Sequence, residues 1–189
     1  MAEAEEDLTR AEVRSSIQDA FNQTLDQRVE RYLEVQHQGI IGNHHFARAS
    51  SECLEVYRDG YFISAVMVSQ SVAEGIFRFI LDRNGISSEG DRPSMAAVLK
   101  NKGVISEQCA EAFVRIWNSF RNDVHHMNPK IASIPFSDLA KRNLEDLAII
   151  EREIFAVSFH NGKLVPVHPK YWDLKPDGTV PVFLRYPRL

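Results

Sequence analysis

Apolar residues recur along most of this chain at steps of three and four, the spacing that lays them on one face of a helix. The first such run is Val13, Ile17, Phe21, Leu25, Val29, Tyr32 and Leu33, and it lasts until Gly39 and Gly42. It predicts one long helix, or two joined near Asn22. Asn43 is placed to cap a second helix carrying Phe46, Ala49, Cys53, Leu54 and Tyr57, which Asp59-Gly60 stops. Tyr61 to Leu81 is apolar almost all round and predicts a central helix packed on several sides, with Asn84-Gly85 as its end. Its polar line is Gln70, Glu74 and Arg78, spaced so that Glu74 and Arg78 can pair one turn apart.

Between Ile86 and Gly103 the composition turns polar, and Pro93 is placed to open a short helix over 94–100. Ser106 is the natural cap of the next element. There Cys109, Phe113, Ile116, Trp117, Phe120, Val124 and Met127 make a single apolar stripe and predict one helix ending near Met127, because Pro129 disfavours helical geometry at Asn128. A last long helix is expected from Ser137, with Leu139, Leu144, Leu147, Ile150 and Ile154 inward, closed by His160-Asn161-Gly162.

The final 27 residues hold five of the eight prolines, so Leu164–Val167 and Val180–Leu184 read as edge strands or extended arms around an Asp177-Gly178 turn. A small hairpin, or a tail that wraps the domain or its partner, is expected. Lys170, Arg185 and Arg188 give it local positive charge. The fold class is therefore all-α, a helical bundle with a short proline-rich C-terminal extension or β-hairpin. Residues 1–7 are expected to be disordered, 8–162 to form the helical domain and 163–189 the tail.

With 189 residues, 44% of them hydrophobic, the chain suits one domain with a real core. Its net charge of −4 argues against a broadly basic nucleic-acid surface but leaves room for a local basic groove. Cys53 and Cys109 fall in apolar registers and read as buried free thiols of a reducing compartment. The acidic start (Glu3, Glu5, Glu6, Asp7) does not read as a signal segment, and no apolar run reaches the ~18 residues that span a bilayer, so the expected setting is cytoplasmic, without membrane. His44-His45 lacks ligand spacing, and neither a metal nor a cofactor is expected.

The chemistry is densest in Phe120-Arg121-Asn122-Asp123-Val124-His125-His126-Met127-Asn128-Pro129. On a continuous helix Arg121, Asn122, His125 and His126 would face away from the apolar stripe, with Asp123 at its edge. Arg121 and His126 would point about 140 degrees apart, too far to close easily on one phosphate. Arginine's planar fork suits phosphate oxygens and histidine suits proton transfer. Asn122 stands one turn before His126 and could orient its ring. The alternative is a solvated, capped helix end and nothing more.

Arg121-Asn122, three residues, then His126 resembles the R-N-x-x-x-H motif of HEPN domains, small helical proteins many of which are ribonucleases. The resemblance covers roughly residues 42–160 and is topological outside the motif. It implies a homodimer in which Arg121, Asn122 and His126 of two chains form one composite site. That site would cleave an RNA substrate without metal and leave 2′,3′-cyclic phosphate ends, as a toxin or host-defence enzyme would. His125 and Glu74 are supporting candidates. An antitoxin or other partner protein is implied as a possible restraint. A family branch paired with nucleotidyltransferase antitoxins has tyrosine two residues past the histidine; here Asn128 stands there, so modification at that position is not carried over. The competing expectation is a non-catalytic HEPN-like dimer that binds or scaffolds a partner protein, nucleotide or RNA.

Overall fold

Seven α-helices and two small two-stranded sheets make up the described residues, 2–185 of a computed structural model. Arg188, counted above with the tail's charge, lies outside them. Helix α1 (Ala2–Glu34) begins within the acidic stretch that composition suggests is unstructured, and it continues unbroken past Asn22. Strand β1 (Ile40–Gly42) leads into α2 (Ala47–Arg58), which turns at Gly60, φ 87°, into α3 (Phe62–Arg83). Next come α4 (Arg92–Asn101) and α5 (Glu107–Trp117). The Asp91 carboxylate accepts from Ser94 N, and the Ser106 hydroxyl accepts from Cys109 N, so side-chain caps start both helices.

Helix α3 is the axis of the bundle, with α2, α5 and α7 (Phe136–Ile154) packed around it. By length and composition α3 is apolar enough to cross a bilayer, yet Ala65, Val66, Val72, Ala73, Ile76, Phe77, Ile80 and Leu81 are buried inside the protein. It is a core helix. Two clusters share it. One joins α3, α4, α5 and α7 through Phe77, Leu99, Phe113, Ile116 and Ile150, and the other joins α2, α3 and α7 through Leu54, Tyr57, Val66 and Leu144.

The C-terminal region departs from expectation in its pairing. Helix α7 stops at Ile154, and the residues thought to complete it form β2 (Val157–His160), which pairs antiparallel with β3 (Lys163–Pro166). Asn161 and Gly162, with φ 50° and 74°, are the hairpin turn; both central residues of a type I′ turn need positive φ, and Asn-Gly supplies it. Strand β4 (Val182–Leu184) pairs with β1 instead of with the Leu164–Val167 run. Between them Tyr171 and Trp172 are buried, Trp172 edge-on to Phe155. Residues 163–185 thus wrap the helical body.

Arg185 locks this wrapping. Its guanidinium makes a two-pronged pair with the fully buried Glu151 of α7 at 2.6 and 2.7 Å, and Ser50 of α2 donates to the same carboxylate at 2.5 Å. His37 Nδ1 stands 3.6 Å from Glu151, beyond hydrogen-bond reach. Burial pushes the Glu151 carboxyl up, but the bonds and charge of Arg185, helped by His37, outweigh it and bring it down to about 2. Burial likewise holds the His37 imidazole below its ordinary value, against the pull of Glu151.

Candidate functional site

The motif does not end a long helix. Helix α5 stops at Trp117, Phe120 adopts the left-handed conformation (φ 54°, ψ 31°), and a separate helix α6 runs only from Arg121 to His125, with His126 as its C-cap. The continuous apolar stripe misleads here. Val124 is buried as expected, but Phe120 and Met127 are exposed, and Met127 is left-handed too, at φ 49°. A non-glycine residue in that region costs roughly 1–2 kcal/mol. Two such residues therefore bracket the six, Arg121 to His126, that carry the motif.

Several interactions hold this short helix in place. Val124 anchors it in the α2–α3–α7 cluster. Asn128 N donates to Asp123 O, and Asn128 Nδ2 to Asp123 Oδ1, both at 3.0 Å, which closes the C-terminal side and fixes Asp123 as a brace. Beneath lies a buried polar network. Gln70 of α3 donates from Nε2 to Ser119 O (2.9 Å) and Oγ (2.8 Å), and Asn143 of α7 donates to Ser119 Oγ and Ser69 Oγ, each at 3.1 Å. The Ser119 hydroxyl donates to Ile116 O, the last turn of α5. The network reaches the surface through His125, whose Nε2 lies 3.2 Å from Gln70 Oε1.

Arg121, the first residue of α6, faces Glu74 of α3, its Nη1 3.8 Å from Oε2. Glu74 also takes Arg78 Nε at 2.7 Å and two bonds from Arg92, at 2.6 and 3.1 Å. Three guanidinium groups thus converge on one carboxylate, for a local charge of about +2 counted from their ordinary ionisation. Burial raises the Glu74 carboxyl, but the bonds and charges of Arg92 and Arg78 prevail and keep it below the usual carboxylate range. Arg92 also lies over the Phe77 ring, 5.7 Å from its centroid.

Among the described residues, Asn122 and His126 have no side-chain hydrogen bond, and both are exposed. The site thus brings Arg121 and Glu74 together and ties His125 to Gln70, while Asn122 and His126 stand free in solvent. Arg121 and His126 are about 7.5 Å apart along the helix axis, at the rise of a regular helix. Arg92 was not singled out from sequence. Its signal was an arginine in the first turn of a helix, where it opposes the helix dipole unless an acid compensates, as Glu74 does.

The two adjacent histidines near the start of α2 are placed differently. His44 Nε2 is 2.9 Å from Tyr171 O and its ring packs against Phe79, so it ties the C-terminal wrap to α3. Among the described residues no three of His, Cys, Asp and Glu are grouped so as to hold a metal ion. Compared with known proteins, the chain matches no family model, no curated protein and no solved structure.

Proposed function

We propose that this protein is a metal-independent endoribonuclease of HEPN type, working in a cytoplasm as a two-fold dimer in toxin or host-defence chemistry. The observation that carries the reading is the contrast at α6. Buried polar groups and two left-handed residues are committed to holding the six residues Arg121 to His126 in place, while the exposed side chains of Asn122 and His126 are left without protein partners. Strained backbone clusters at active sites and ligand clamps.

In the reaction the ribose 2′-oxygen attacks the adjacent phosphorus and the 5′-oxygen leaves, giving a 2′,3′-cyclic phosphate. His126 moves the proton, work that contributes typically ~10²–10⁴-fold. Arg121 faces the charge that builds on the phosphorane oxygens. Arg78 and Arg92 extend the cationic surface for neighbouring phosphates, and Glu74 spaces the three guanidinium groups. Asn122 orients the His126 ring or a phosphate oxygen, and His125 is positioned by Gln70. Because Arg121 and His126 sit at opposite ends of one short helix, a second chain supplies the missing half of each site.

Mixing tests this composite arrangement. Arg121→Ala and His126→Ala homodimers should each be inactive, and their mixture should recover part of the wild-type rate through heterodimers that retain one intact pair. No recovery after confirmed subunit exchange would contradict it. The second reading is a non-catalytic dimer that binds a partner, nucleotide or RNA. The ion pairing of Arg121 within its own chain favours it. RNA bound but never cut would select it.

A further inference from the structure

Gln70 and Glu74 stand one turn apart on α3, and each reaches one side chain of α6. Glu74 faces Arg121 at the start of the short helix, and Gln70 faces His125 at its end. Residues four apart on a helix lie about 40 degrees apart round it, so Arg121 and His125 share a face, whereas His126 points about 140 degrees away from Arg121. Within one chain, the histidine beside Arg121 is therefore His125.

The buried network decides which nitrogen of that histidine carries a proton. A backbone carbonyl only accepts, so the Gln70 atom 2.9 Å from Ser119 O is the amide nitrogen. The Ser119 hydroxyl donates its own proton to Ile116 O, and so accepts from the same Gln70 nitrogen at 2.8 Å and from Asn143. Flipping the Gln70 amide would set two carbonyl oxygens against each other. The other end of its side chain is thus the oxygen, which has no proton to give. Gln70 is fully buried, and a buried acceptor needs a donor. His125 Nε2, 3.2 Å from that oxygen, is the donor. This holds for imidazole and imidazolium alike, because Nε2 is protonated in both. The proton that comes and goes is the one on Nδ1, which has no hydrogen-bond partner among the described residues and belongs to an exposed side chain.

We propose that His125 is a second catalytic residue of the ribonuclease site, taking the proton of the RNA 2′-hydroxyl on Nδ1 while Gln70 holds its ring through Nε2. This role presupposes the endoribonuclease reading and goes deeper into the same site. As the 2′-hydroxyl proton passes to Nδ1 of neutral His125, the 2′-oxygen bonds to phosphorus. The bond from phosphorus to the 5′-oxygen breaks, and that oxygen takes a proton from the imidazolium of His126 of the second chain. One proton enters the protein and one leaves, and the products are a 2′,3′-cyclic phosphate and a 5′-hydroxyl. Arg121, on the same face as His125, meets the charge that builds on the phosphorane. Gln70 is a positioning residue: its oxygen fixes the tautomer and supports the charge that His125 acquires, as a side-chain amide does in Cys-His-Asn sites.

His125→Gln separates proton transfer from support, since a glutamine amide places an N–H where Nε2–H stands and offers nothing basic in place of Nδ1. Metal-free RNA cleavage by this variant should fall in kcat by ~10²-fold or more with KM little changed. Its melting temperature should hold, because the side chain is exposed. Cleavage by His125→Gln at the wild-type rate overturns the proposal and leaves the ribonuclease reading standing; a wild type that cuts no RNA overturns both. Long-range proton–nitrogen correlation spectra of the labelled wild type, recorded where the imidazole is neutral, test the tautomer without reference to activity. His125 should show a protonated Nε2 and a bare Nδ1, with an Nε2–H proton slow enough in exchange to observe. Gln70→Met should lose that proton, and the wild-type spectrum decides the tautomer whether or not that variant folds. A protonated Nδ1 in neutral His125 overturns the proposal whatever the activity.

Discussion

Arg185→Met leaves the Glu151 carboxylate in the core with the Ser50 hydroxyl as its hydrogen-bond partner among the described residues. Arg185 is 6% exposed and Glu151 fully buried, so water cannot replace the lost guanidinium. The carboxyl's own shift sets a lower bound on the loss, because burial raises Glu151 once Arg185 is gone. Its depression from 4.5 to about 2 corresponds to about 3 kcal/mol at neutral pH. Breaking a buried pair by removing one partner costs 3–5 kcal/mol in general, which agrees. For a chain of this size that is a fall in melting temperature of about 6–20 °C.

The pH dependence has a definite sign. A carboxyl depressed on folding stabilises above its unfolded value and loses that contribution as pH falls, here between 4.5 and about 2. In the variant burial outweighs the remaining Ser50 bond and raises Glu151, so the deficit against wild type is small only near pH 2 and grows as the pH rises towards 7. Urea unfolding at a series of pH values measures this, and Arg185→Met/Glu151→Gln should recover most of the loss. A single variant within 1 kcal/mol of wild type at pH 7, or a deficit that shrinks as pH rises, would refute the reasoning.

Three further outcomes are expected. Ser119→Ala removes the acceptor shared by Gln70 and Asn143 and should cost about 1–3 kcal/mol in urea unfolding, since two buried amide donors lose a partner. Arg92→Ala should lower kcat/KM for RNA about tenfold or more while leaving the fold intact, as loss of one charged phosphate contact would; an unchanged value would restrict Arg92 to bracing Glu74. Cys53 and Cys109 are buried and their thiols are pushed well up by burial, so neither should react with a thiol reagent until the protein is unfolded.

The helices were legible where period and burial agree. Cys53, Leu54 and Tyr57 in α2, Phe113, Ile116 and Trp117 in α5, and Leu139, Leu144 and Leu147 in α7 all face the core, as their spacing predicts. The same period overran at Phe120. An apolar residue keeps its place in the stripe whether or not the backbone stays helical, and a left-handed phenylalanine has no compositional mark. The Asn161-Gly162 turn does carry a mark, the strongest short hairpin signal there is, but the apolar run before it also fits the last turns of α7. The β1–β4 pairing joins strands about 140 residues apart and three residues long, too short to show a period.

At the site, the order of Arg121, Asn122 and His126 could be read directly, as could the Glu74–Arg78 spacing. Arg92 and Ser119 could not, because they meet Glu74 and Gln70 only through the packing of α3 against the turns beside it. Apolar spacing also identified the α1 stripe as helical, but spacing is silent on whether the same chain or another covers it.

The most direct test is incubation of the purified protein with a mixed RNA substrate in EDTA, wild type beside His126→Ala, with analysis of the cleaved ends. The account predicts cleavage by wild type alone, leaving 2′,3′-cyclic phosphates, and a loss of ~10²-fold or more in the variant. Equal cleavage by both, or none by a folded and dimeric wild type, would contradict it.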